Sequence, residues 1–373
     1  MLQRGLGSGY LWAIEHPVDA RPLILECVSD DPRWDRQLES RTSFYAEISR
    51  AIGITGNEFA PLLDRLADET VAPCEESVEN DLPIGLTCSL ALSGDPEARL
   101  IAEHHVRETT LSECFRARLE ESEIESWPTL RELLDQPPTE LDDGEDEEDR
   151  PEANRSQSTA ELLHHPDWWR ASQILATRTA RKDLDLVRDA VASDDVRVRG
   201  IAYRALAGQG DTSVTVAAGR ELIDGRGVAL SGARVYLKSL PAELALSIAR
   251  DWIGHGEYAQ EREAWSLLAL HAEIEDLPIA RANLIPSLEQ GEIYTVCNIL
   301  EALARHPSSG PHPEAIRCFR EIPYARARRR VMRLLEASDP AGLQALAPDA
   351  RWDCESEVRE IAERALGDRS SSA

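Results

Sequence analysis

The sequence predicts an all-α fold, a solenoid of stacked helical hairpins with a period near 32 residues. Three observations carry this. Leu175, Leu206, Leu240, Leu270, Leu303, Leu335 and Leu366 follow one another at intervals of 31, 34, 30, 33, 32 and 31 residues, and a fixed period of that length marks an array of one repeated supersecondary unit. Each leucine closes a helical pattern, as where Val198, Ile201, Ala202, Ala205 and Leu206 fall at offsets 0, 3, 4, 7 and 8 and so share one face of a 3.6-residue helix. Strand patterning is nearly absent: alternating Val/Ile runs are rare and aromatic residues make up 5% of the chain, which argues against a sheet.

The individual elements follow from local chemistry. The residue before the leucine is small in Ala205, Ser239, Ala269, Ala302 and Ala365, and a small residue beside a large one lets neighbouring helices interlock. The segments between leucines supply the partner helix and two short turns. Gly208, Gly210 and Asp211 end one helix, because glycine accepts the left-handed C-terminal position. Asp31-Pro32, Asp95-Pro96 and Asp339-Pro340 read as helix starts, with Asp as cap and Pro at the first helical position. A single hairpin cannot bury its apolar stripe alone, so stability is a sum over hairpins and their interfaces.

The stretch Asp195-Val196-Arg197-Val198-Arg199-Gly200-Ile201-Ala202-Tyr203-Arg204-Ala205-Leu206-Ala207-Gly208 resembles a short bacterial HEAT repeat. So does Ser356-Glu357-Val358-Arg359-Glu360-Ile361-Ala362-Glu363-Arg364-Ala365-Leu366-Gly367-Asp368. Asn298, Arg330 and Arg170 stand where these units carry Ile, and a turn that is partly exposed or differently rotated is expected there. The family is a fold family whose members are mostly binding scaffolds. The resemblance therefore implies an α-solenoid that binds a protein partner, and little about chemistry.

Three segments are expected. Residues 1–136 form a helical region of diverged repeats, residues 137–158 an acidic insert, and residues 159–373 the repeat array. Asp31-Pro32-Arg33-Trp34-Asp35 recurs as Asp349-Ala350-Arg351-Trp352-Asp353, each with an Arg ten positions after its first Asp, at Arg41 and Arg359. Leu86–Asp95 reads as a further helix closed by a Gly-Asp turn. The insert holds nine acidic residues against Arg150 and Arg155, a local charge of −7, and is expected to be a disordered, solvated spacer. Gly5-Leu6-Gly7-Ser8-Gly9 reads as a flexible start.

Composition narrows the function. The net charge is −27, and lysine is confined to Lys182 and Lys238, so 39 arginines carry nearly all the positive charge. A field of that sign repels nucleic acid and anionic membrane. An arginine-rich, lysine-poor composition is expected of a high-GC bacterial genome. The seven cysteines, at 27, 74, 88, 114, 297, 318 and 354, contain no Cys-x-x-Cys pair, and free buried thiols in the cytoplasm are expected. No apolar run is long enough for a signal peptide or a membrane span.

Catalytic signatures are lacking. His104-His105 and His164-His165 are adjacent pairs that diverge by about 100° on a helix, whereas helical zinc ligands sit four apart. No hydrolase elbow, Walker loop or dinucleotide fingerprint occurs. The expectation is a non-enzymatic protein–protein scaffold without catalytic residues, cofactor or metal. The alternatives are an immunity-type partner of one target, or an enzyme of the bilin-lyase or DNA-glycosylase type. Candidate partner-binding residues are Arg326, Arg329, Arg330 and Arg333, which share one helix face opposite Val331, Leu334 and Leu335, and the tryptophans Trp34 and Trp352, which stand beside Asp and Arg near turns. The Trp168-Trp169 pair has the same setting, whereas Trp252 and Trp265 read as core.

Overall fold

The computed structural model describes residues 1–35, 39, 41–69, 82–120, 127, 134, 157–306 and 310–367. Among them the regular structure is 21 α-helices and short 3-10 turns, with no strand. No helix among them is long and apolar enough to cross a membrane. The acidic insert, with Leu141, lies outside the described residues apart from Gln157 and Ser158.

The chain divides into two compact units, Met1–Gly144 with Gly310–Ala373, and Glu145–Ser309. The sequence grouping of 159–373 as one array therefore does not match the packing: residues 310–373 cluster with the N-terminal residues.

In the first unit the helices are α1 (Gly7–Glu15), α2 (Pro17–Ser29), α3 (Thr42–Ile52), α4 (Ala60–Glu69), α5 (Leu82–Leu92), α6 (Pro96–Glu108) and α7 (Ser112–Glu120). The second unit holds α8 (Thr159–Leu163), α9 (Trp168–Ala176), α10 (Arg181–Ala190), α11 (Val196–Gln209), α12 (Thr215–Asp224), α13 (Gly227–Lys238), α14 (Ala242–Trp252), α15 (Tyr258–His271), α16 (Leu277–Glu289) and α17 (Ile293–Ala304). Helices α18 (Pro313–Glu321), α19 (Ala325–Ser338), α20 (Pro340–Ala350) and α21 (Ser356–Gly367) complete the first unit.

The second unit has two rows. Helices α9, α11, α13, α15 and α17 each pack on the next, and α10, α12, α14 and α16 each pack against the row member that follows. The α11–α13 approach is close: a Cβ added to Gly232 would stand 2.7 Å from the Gly200 carbonyl oxygen. Only glycine at both positions lets the backbones come so near. The first unit is built around α3 and α5, which hold Phe44, Tyr45, Ile48 and Leu90 out of solvent. Its α1 packs on α20, and α19 packs on α18, α20 and α21.

The leucine register holds at Leu175, Leu206, Leu240, Leu303 and Leu335, all buried. It fails at Leu270, which is 43% exposed, because α15 turns Leu267 and Leu268 inward instead. Leu366 is half-buried. Asn298, Arg330 and Arg170 are half-buried, as expected of the units that lack Ile there.

Caps behave largely as the sequence indicates. Asp95 accepts from the Glu97 and Ala98 amides at 3.0 and 2.9 Å, Asp195 from Arg197 at 2.8 Å, and Asp339 from Gly342 at 3.0 Å. Asp31-Pro32 is the exception and starts no helix. Its carboxylate is taken by the Arg33 guanidinium, with Nε to Oδ1 and Oδ2 both at 2.9 Å and Nη2 to Oδ2 at 2.6 Å. Cys27, Cys88, Cys318 and Cys354 are buried free thiols, but Cys114 is disulfide-bonded, contrary to the expectation that every thiol is free; Cys74 lies outside the described residues.

Candidate functional site

The residues singled out in the sequence fall mostly into the framework of the first unit. On α19, Val331, Leu334 and Leu335 are fully buried, Arg326, Arg329 and Arg330 are half-buried, and Arg333 is exposed. The arginine face is met by acids of α21 and the turn before it. Arg329 lies 3.7 Å from Glu355 and 3.5 Å from Glu357, and Arg333 pairs with Glu357 as well. Arg330 donates to the Arg326 carbonyl at 3.4 Å. Trp352 is stacked on Tyr10, ring centroids 4.7 Å apart at 5°, with the Arg351 guanidinium 4.7 Å from its own centroid. Trp34 stays 46% exposed, and its amide donates to Glu39 at 2.9 Å.

The residue that sequence reasoning left aside on this helix is the most constrained. Arg328 is fully buried and pairs with the equally buried Asp353. Its Nη2 also approaches the Gly5 carbonyl at 3.4 Å and the Cys354 sulfur at 3.3 Å. Beside it, Arg41 is fully buried, donates to the carbonyls of Gln3 and Pro323, and lies 3.4 Å from Glu39. Glu39 accepts from the Ala325 amide. Two guanidinium groups and two carboxylates thus neutralise one another in a closed interior, which costs desolvation but leaves no charge alone. The Gly5–Gly9 segment is therefore packed rather than loose: Gly5 accepts from the Cys354 amide at 2.9 Å, and a Cβ on Gly7 would fall 1.7 Å from the Asp349 carbonyl oxygen. Sequence composition gave no hint of this role, because glycines at a chain start read alike whether packed or free.

An open site appears in the second unit, on the exposed face of the α9–α17 row. The Arg204 guanidinium stands 4.7 Å from the Trp168 ring centroid and 5.2 Å from that of Trp169. Its Nη2 donates to the Ser231 hydroxyl at 2.7 Å. Arg234 and Lys238 lie 3.4 and 3.7 Å from Glu263. Asn298 donates to the Ser266 hydroxyl at 3.0 Å. Each link joins one row helix to the next, so a polar ladder crosses five helices. Ser231, Arg234, Val235 and Lys238 are all exposed and follow the i, i+3, i+4, i+7 spacing of one helix face. Exposed Leu270 shares a face with Glu263 and Ser266, and exposed Tyr294 with Asn298.

The electrostatics of the ladder are uneven. Arg204 has no carboxylate partner among the described residues, its Nε lacks a hydrogen bond, and desolvation lowers its pKa. Burial raises the Glu263 carboxyl above its usual range, against the pull of Lys238 and Arg234. Trp168-Trp169 stands out in the sequence but Arg204 does not, because its place over the rings depends on the stagger of α9 and α11.

No metal-holding group of three or more His, Cys, Asp or Glu occurs among the described residues. His105 is buried against Phe115, with centroids 5.2 Å apart, and its Nδ1 lies 3.0 Å from the Thr109 hydroxyl. No family model matches the chain, nor does any curated protein or solved structure.

Proposed function

We propose that the chain is a non-enzymatic protein-interaction scaffold, and that the helices of its second unit stack as a HEAT-like solenoid. The observation that carries the reading is the exposed ladder face of the α9–α17 row. A solenoid offers one side chain per repeat to a partner, and here successive repeats offer Trp169, Arg204, Val235, Leu270 and Tyr294. Tryptophan, tyrosine and arginine are the residue types that dominate binding hot spots. The first unit supports the reading differently. Its singled-out arginines and Trp352 are engaged in internal pairs, which leaves the ladder as the better candidate surface.

Affinity capture with the full chain, analysed by mass spectrometry, tests this. A discrete protein partner recovered with the natural sequence and lost with Trp169→Ala, at unchanged melting temperature, supports it. Failure to recover any protein whose capture depends on residue 169 contradicts it.

A further inference from the structure

The geometry points to an acidic peptide segment of a partner protein as the occupant of the α9–α13 part of this face, with a carboxylate on Arg204 and an apolar side chain against Trp169. This rests on the scaffold reading and names the partner's chemistry.

Charge complementarity carries it. The chain as a whole is at −27, yet this part of the row presents Arg204, Arg234 and Lys238 against the single carboxylate of Glu263. Glu263 is 5% exposed, offers one negative charge to two cations, and does not reach Arg204. Arg204 is the least compensated. It stands over two indoles that are perpendicular to each other, donates to Ser231, and pairs with no carboxylate among the described residues. A guanidinium already seated against two rings and a hydroxyl loses little further side-chain freedom on taking a carboxylate, and the pairing gains from the reduced dielectric beside the rings. The neighbouring apolar groups, Trp169 at 52% and Val235 at 38% exposure, give a peptide side chain somewhere to bury.

A polynucleotide fits less well. It requires a track of phosphate contacts, and the next cation along the row, Arg262 on α15, is already paired with Glu292.

The test uses the full chain and a short fluorescein-labelled peptide in which glutamates alternate with leucine and tryptophan, followed by fluorescence anisotropy. The expected result is salt-sensitive binding, weakened roughly tenfold or more when glutamine replaces glutamate in the peptide. Arg204→Gln is expected to weaken binding by a similar roughly tenfold factor. Arg204 also packs on two rings, so Val235→Glu serves as a second variant: it adds a repelling charge at an exposed position, and binding is expected to fall at unchanged melting temperature. Equal binding of the glutamine peptide, or binding unaffected by Val235→Glu, overturns the proposal. So does tighter Arg204-dependent binding of single-stranded DNA, which would make this a polyanion site, or stronger peptide binding after deletion of residues 140–156, which would make the chain's own acidic segment the occupant. Residue-169-dependent capture of a protein without acidic-peptide binding sinks the partner chemistry alone; loss of that capture sinks the scaffold reading too.

Discussion

Arg328 and Asp353 form a bidentate pair in the closed interior of the first unit, with Nε to Oδ2 at 2.8 Å and Nη2 to Oδ1 at 3.0 Å, both side chains at zero exposure. Desolvation opposes the charge on Arg328, yet Asp353 and its other neighbours hold its pKa above the ordinary value. The pair ties α19 to the turn before α21, and through the Gly5 carbonyl it reaches the first residues of the chain.

Removing one partner strands a buried charge. Asp353→Ala is expected to cost about 3–5 kcal/mol, whereas Arg328→Met combined with Asp353→Leu is expected to recover most of that loss. Urea unfolding of the two variants beside the natural sequence checks both statements. A double variant no better than the single one would show that the pair itself, rather than the absence of a lone charge, holds the unit together.

Gly7→Ala tests the packing of the chain start. The added methyl meets the Asp349 carbonyl, so α1 must move off α20. An overpacking cost of roughly 1–3 kcal/mol is expected. An unchanged unfolding midpoint would mean that α1 is not docked there.

Two carboxylates of the second unit should respond to pH with opposite signs. Desolvation works against Asp276, but the hydrogen bonds from Arg250 and the Glu273 amide outweigh it and hold its pKa below the usual range. Its contribution is therefore complete above the unfolded value of about 4 and is lost as pH falls through the folded value. Asp276→Asn is expected to lower stability at neutral pH, by roughly 1–2 kcal/mol, and to matter little in strong acid. Glu263 is raised by burial, so between its unfolded and folded values the native state keeps a proton that the unfolded chain has released. Stability falls as pH rises across that interval. Glu263→Gln is expected to remove this loss and to match or exceed the natural sequence at neutral pH. Denaturant midpoints measured from about pH 2 to 8, which spans both intervals, would expose a common sign, which would contradict the assignment.

The leucine register supplies a comparison within one unit. Leu206 is fully buried and Leu270 is 43% exposed. Leu206→Asp is expected to cost several kcal/mol, about 3 or more, and Leu270→Asp roughly 0.5 or less. Similar thermal shifts for both would show that the row of buried leucines is wrongly placed.

Much of the helical architecture was legible because caps and apolar spacing are local. Asp95, Asp195 and Asp339 cap as their neighbours dictate, and Leu206 falls where the spacing places it. What depends on distant residues was not legible. Asp31 looks like a cap until Arg33 takes its carboxylate. Arg328 looks like one more member of an arginine run until Asp353 is folded beneath it. The arginine face that stood out in sequence is compensated by Glu355 and Glu357, while Arg204, unremarkable in sequence, gains its setting from Trp168, Trp169 and Ser231 on two other helices.

The proposed function puts the protein partner on the ladder face. Its most direct test is site-specific photo-cross-linking in cells, with the photoreactive residue placed at 169 on the ladder face or at 216 on α12, where Val216 is 73% exposed. A discrete protein adduct is expected from position 169 and not from position 216. Identical adducts from both positions, or none from position 169, would contradict it.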